Sequence, residues 1–237
     1  LIIVHYHLRP GGVRRVIEMA TPHLVRRRPE LVRRVVLATG EAPDRVWLRN
    51  FRHRLAGAPV RVVVEPAFGY VSELATSDRV LRKTVALGIG RLVQEAADQP
   101  CLIWAHNLGL GRNLHLSREL TSAAHALGIP LVAHHHDWWF ENRWHHFAVG
   151  RQRGVSELDR MANTVLAASP RICHVAINQA DAAVLARHFP RRSGWLPNPV
   201  ERGTPPPAAR VRAARAWLRE QLGEDAPVWL LPCRLLR

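Results

Sequence analysis

Seven short apolar runs, separated by segments with helical spacing, constrain the fold of this chain more than any other feature of its sequence. They are LIIVHYH, RRVVLAT, VRVVV, CLIWAH, PLVAHHH, ICHVAI and SGWLP. Several are apolar at consecutive positions, so both faces of those strands have to be covered. Helical periodicity fills most of the gaps, as in Arg79–Ala97, Arg112–Leu127 and Gln179–Phe189. Asn178 is placed to cap the last of these, and Gly128 to stop the one before it. Strand–helix alternation of this kind predicts an α/β fold, a Rossmann-like doubly wound parallel sheet with helices on both faces. Ligands of such sheets bind outside the carboxyl ends of the strands.

The first strand runs into HYHLRPGGVRR, residues 5–15. Val13, Val16, Ile17, Ala20 and Leu24 then recur at the spacing of one buried helix face, which predicts a helix starting at Gly11-Gly12. Glycine permits positive φ and lets another molecule approach the backbone closely. The first turn of a helix offers unpaired N–H groups and the positive end of its dipole, a setting that suits a diphosphate. The same glycines serve equally well as a plain tight turn.

Two other strands also end on polar residues. IWAHN closes on His106-Asn107, and LVAHHHDWW on His134, His135, His136 and Asp137. With a period of two, His134 and His136 share a face and His135 takes the other. Right-handed crossovers put all βα turns on one edge, so strands one, four and five are expected side by side, with Gly12, His106 and His136 lining one crevice. His134, His136, Asp137, His145 and His146 are metal-ligand types. Their spacing matches no standard metal motif, HExxH is absent, and the cysteines lie elsewhere, so no metal is read from the sequence. GxSxG and GxGxxG are absent too, which argues against a serine hydrolase and a dinucleotide fingerprint. The segment DWWFENRWHHF (137–147) is suited to stacking on sugar rings or touching a lipid headgroup. Alternatively, Trp138, Trp139 and Trp144 pack the domain.

Composition narrows the partners. The net charge of +15 invites a nucleic-acid reading, but Lys83 is the only lysine and the arginines are dispersed over all 237 residues. With no nucleic-acid-reading motif, sequence-specific binding of that kind is not expected. A basic surface favours phosphorylated substrates or anionic lipid headgroups instead. Cys101, Cys173 and Cys233 are far apart and form no CxxC pair, which fits a reducing cytosol. No signal peptide is legible, although Leu1 is not an initiating methionine. The expected organisation is a domain over 1–200, a proline-rich linker and helix over 201–226, and over 227–237 the opening strand of a second domain cut short.

Six motifs, in order, resemble the N-terminal domain of the retaining glycosyltransferases of family 4, which have the two-domain GT-B fold. They are PGGV (10–13), WAHN (104–107), HHHDWW (134–139), VAINQADAAVL (175–185), WLPNPV (195–200) and LLPCRLL (230–236). The resemblance implies transfer of a sugar, of hexosyltransferase type, from a nucleotide-sugar donor to an acceptor with retention of configuration. It implies that Gly11, Gly12 and Arg234 face the donor phosphates and that His136 lies near the reacting sugar. His106 matches a second family histidine. Asp137, Trp138, Arg143 and Asn198 fall on the acceptor side, with Pro199 where the family's turn has glycine. The acceptor would be a sugar, a sugar-phosphate or a lipid-linked sugar. The implied setting is cytoplasmic, extending to peripheral contact with the inner face of the membrane. No cofactor or metal is implied, the nucleotide-sugar being a co-substrate.

In such a transfer negative charge develops on the departing phosphate, and preorganised N–H and guanidinium groups stabilise it. His136 would hydrogen-bond a sugar hydroxyl if neutral and add positive charge if protonated. PCR stands where the family has GR, and the family's lysine and paired glutamates would fall beyond Arg237. Residues 1–237 alone are therefore expected to be inactive. The alternative is a Rossmann-like domain, non-catalytic or differently catalytic, that binds an anionic phosphorylated ligand.

Overall fold

All seven apolar runs become strands of one sheet in the computed structural model, which describes residues 1–94, 100–140, 157–201 and 203–223. The strands are β1 (Ile2–Val4), β2 (Val35–Thr39), β3 (Val60–Val64), β4 (Ile103–His106), β5 (Leu131–His135), β6 (Ile172–Ala176) and β7 (Ser193–Trp195). Their order is β3-β2-β1-β4-β5-β6-β7, and every neighbouring pair is parallel. Flanking the sheet are α1 (Gly12–Arg27), α2 (Arg45–Arg54), α3 (Asp78–Gln94), α4 (Leu114–Ala126), α5 (Leu158–Val165) and α6 (Gln179–His188). This is an α/β, Rossmann-like doubly wound fold.

Alternate strand residues feed two separate cores, which is why the strands are apolar on consecutive positions. Ile2, Val4, Val36, Ile103, Ala105, Leu131 and Ala133 pack with Leu81, Val85 and Ile89 of α3 and with Leu116 and Leu120 of α4. On the opposite face Ile3, Leu37 and Trp104 pack with Ile17 of α1 and with Trp47 and Phe51 of α2. A third cluster joins Trp138, Trp139, Met161 and Leu185.

The local signals for the helices act as the sequence suggests. Asn178 Oδ1 accepts the Asp181 amide at 2.8 Å, and α4 ends into Gly128 at φ +66°. Asn113 caps α4 at Leu116 N, and its amide also donates to the carbonyls of Ala67 and Gly69. One expected core position differs. Beyond Pro22, which has no N–H to give the carbonyl four residues back, the inward position passes from Leu24 to Val25, and Leu24 is exposed.

The chain divides into two units, Leu1–Pro199 and Val200–Arg237. The second contains α7 (Ala208–Leu222), which ends at Gly223 with φ +84°. The expected strand at 227–237 lies outside the described residues, as do residues 95–97 of the third helical segment.

Candidate functional site at the carboxyl edge of the sheet

The strand order reverses between β1 and β4, and connections leaving their ends part in opposite directions there. β1, β4 and β5 lie side by side, as expected, with Ile2 opposite Ile103 and His106 opposite His134. His5 follows Ile3 by two residues, His106 follows Trp104, and His134 and His136 follow Val132. The pleat therefore aims all four histidines to the face on which α1 and α2 pack. α1 leaves β1 across that same face, so its N-terminus and the histidines share one edge and one face.

That N-terminus carries no side-chain cap among the described residues. Gly11 is the N-cap residue and offers no side-chain hydrogen bond. Its φ is 171°, extended backbone open to any residue, and Gly12 has no positive φ either, so the conformational reason for the glycines does not hold. What they supply is room. Among the described residues, a Cβ on Gly12 would meet nothing within 4 Å, and one on Gly11 would have only the Arg9 carbonyl at 3.8 Å. The preceding loop is held by Arg9, whose guanidinium forms paired hydrogen bonds with both Glu41 and Glu73 at 2.7–2.9 Å.

The histidines are packed ring to ring. His5 Nδ1 donates to the His106 carbonyl at 3.2 Å. His106 Nδ1 and His136 Nε2 share a hydrogen bond of 3.0 Å, and the His134 and His136 ring centres are 4.4 Å apart. His134 Nε2 donates to the Leu196 carbonyl at 3.3 Å, and its ring stacks on Trp104. Burial is the main force on their titration. It lowers His136 and His5 to about 3 and His134 to about 4, and holds His106 well below the usual imidazole range. Neighbouring histidines push His5, His106 and His136 the same way, while the Asn198 side chain and the Leu196 carbonyl oppose the shift for His136 and His134. At neutral pH His136 is an uncharged imidazole.

Asn107 ties this edge together. It stands in the left-handed region at φ 65°, a conformation asparagine tolerates better than most residues. Its Oδ1 accepts the amides of His136 and Asp137 at 3.3 and 2.9 Å, and its Nδ2 donates to Asp137 Oδ2 at 2.9 Å. The Asp137 carboxylate is thus engaged by the end of β4. Tyr6 Oη adds a bond to the Asn107 carbonyl at 3.2 Å. Asn107 was legible only as the polar end of IWAHN. Its role as a clamp depends on β4 and β5 being adjacent.

His135 faces the other way, as the strand period requires, and is part of the packing. His174 Nε2 donates to the Ala167 carbonyl at 3.1 Å, so His174 Nδ1 accepts from His135 Nε2 at 3.0 Å. Trp138 stacks on His135 at 4.5 Å and donates its indole N–H to Asp181 at 3.0 Å. At 5 % exposure Trp138 takes the packing alternative, not an open stacking surface, and Trp139 is buried beside it. Asn198 is exposed next to His136. Arg143, Trp144, His145, His146 and Arg234 lie outside the described residues.

No protein-family model matches this chain, and no curated protein matches it.

Proposed function

We propose that this chain supplies the acceptor side of a retaining glycosyl transfer, with a nucleotide-sugar as donor. The observation that carries the reading is the pairing of two features on one edge and one face of the sheet. Among the described residues, an uncapped helix N-terminus begins at a glycine with open space around it, and a half-buried neutral histidine stands at the end of β5. The first suits a diphosphate, whose charge grows as the sugar–phosphate bond breaks. The second suits a hydroxyl of the reacting sugar, with Asn198 beside it. Six motifs in family order support the same reading. In this reading a second Rossmann-like domain holds the nucleotide, and Arg234 belongs to that side.

The test is transfer by the polypeptide of the complete reading frame across a panel of nucleotide-sugars, with the anomeric configuration of the product read by NMR. Retained configuration, together with a kcat about 100-fold lower in His136→Ala, is the expected result. Absence of transfer with every donor, while inorganic pyrophosphate still binds at α1, would favour a domain that only binds anions. Wild-type turnover in His136→Ala would leave the reading without its residue.

A further inference from the structure

One ring nitrogen from each of His106, His134 and His136 lies within 4.8 Å of one from each of the others. The three come from adjacent strands, His106 and His134 as register partners and His136 two residues on along the same face. Their surroundings hold them in place. His134 Nε2 donates to a backbone carbonyl, and Trp104 stacks on the ring. A bond from one imidazole nitrogen to a carbonyl is how metal-binding histidines are oriented, because it fixes the tautomer and leaves a lone pair on the other nitrogen. On His134 that other nitrogen is Nδ1, which is buried and has no hydrogen-bond partner among the described residues. Buried polar atoms without partners are few in native proteins, and one beside two further imidazoles is accounted for by a shared ligand.

We infer that His106, His134 and His136 bind one divalent transition-metal cation of the zinc class through three imidazoles, with a further position open on the His136 side. A donor set of imidazoles alone, with no carboxylate, selects zinc, cobalt, nickel or copper over magnesium or calcium. Tetrahedral coordination at about 2.0–2.1 Å places ligand nitrogens about 3.3 Å apart. The 3.0 Å between His106 Nδ1 and His136 Nε2 is already close to that span. Small side-chain rotations would bring in His134. Entry is by His136, since the other two rings are buried. Sequence spacing did not reveal this set because His106 is 30 residues from His136. The inference shares His136 with the transfer reading but is tested apart from it, by binding and not by turnover.

The experiment titrates metal-free protein with Zn(II) against a chromophoric chelator, then with Co(II) to record its visible absorption. One equivalent of tight binding is expected, with three nitrogen ligands in the X-ray absorption spectrum and a rise in melting temperature. His136→Ala, at the half-buried position, should weaken binding by at least about 100-fold. His134→Ala should do the same if it folds, which circular dichroism checks. The double variant His145→Ala/His146→Ala should bind as wild type. Failure of wild type to bind overturns the inference, as does binding that survives His136→Ala or is lost only in the His145/His146 double variant.

Discussion

At Gly12 a Cβ would meet no described residue within 4 Å, whereas at Gly40 it would lie 2.4 Å from the backbone nitrogen of Gly69 and 2.8 Å from the Tyr6 carbonyl. The first glycine leaves space for something outside the chain, and the second lets three stretches of backbone cross. Gly40→Ala must therefore displace main chain, and denaturant titration should show a loss of about 3 kcal/mol. Gly12→Val needs no positive φ, and its Cβ enters open space among the described residues, so its stability should stay within about 0.5 kcal/mol of wild type. If a diphosphate approaches α1, the same variant should lose at least about tenfold in kcat/KM for transfer. Unchanged kinetics in Gly12→Val would remove the helix N-terminus from the site.

Between elements, Asn107 is the tie that matters most. Three hydrogen bonds from its side chain join the end of β4 to the residues after β5, which fixes His136 relative to His106. Its left-handed backbone and its side-chain bonds can be separated by substitution. Asn107→Gly loses the bonds but relieves the backbone, whereas Asn107→Ala loses the bonds and keeps the strain. Thermal melts should place both variants below wild type, with Asn107→Ala lower by about 1 kcal/mol. Equal stability of the two would show that the φ of 65° costs nothing here. On the other face of β5 the constraint is steric. A Cβ at Gly109 would lie 2.6 Å from His135 Nδ1, so Gly109 makes the space into which the inward histidine and Trp138 pack.

For the whole molecule the buried histidines set a lower pH limit on stability. Burial lowers the pKa of His174, with the Ala167 carbonyl opposing the shift. Above about pH 6.5 this histidine is neutral in both folded and unfolded chains and contributes no slope. As pH falls below that value the unfolded chain takes up the proton first, so stability is lost toward the lowered folded pKa. The contribution is at most about 1.4 kcal/mol per pH unit for one group. His5, His106, His134, His135 and His136 are shifted in the same direction, so the combined slope is steeper. Urea titrations in the presence of a chelator should show stability falling steeply from pH 6.5 to 5.5, and His174→Gln should reduce that slope. An identical slope in the variant would mean that His174 is protonated in the folded protein as readily as in the unfolded one.

The doubly wound sheet was legible from local pattern alone. Consecutive apolar runs require two covered faces, helical periodicity between them supplies the cover, and the strand period separates His135 from His134 and His136. Each of these follows from the backbone geometry of a single element, so a single stretch of sequence is enough to read it. The sheet edge was legible too, as three strand ends carrying polar residues. The tertiary structure decided the rest. It brought His5 within hydrogen-bond reach of a carbonyl 101 residues away. It turned Leu24 outward and Trp138 inward, gave the glycines an open surface in place of an unusual φ, and set the tautomers of His135 and His174 through the Ala167 carbonyl. Burial, register and hydrogen-bond partners depend on contacts between segments distant in the chain, and no local periodicity encodes which of those segments will meet.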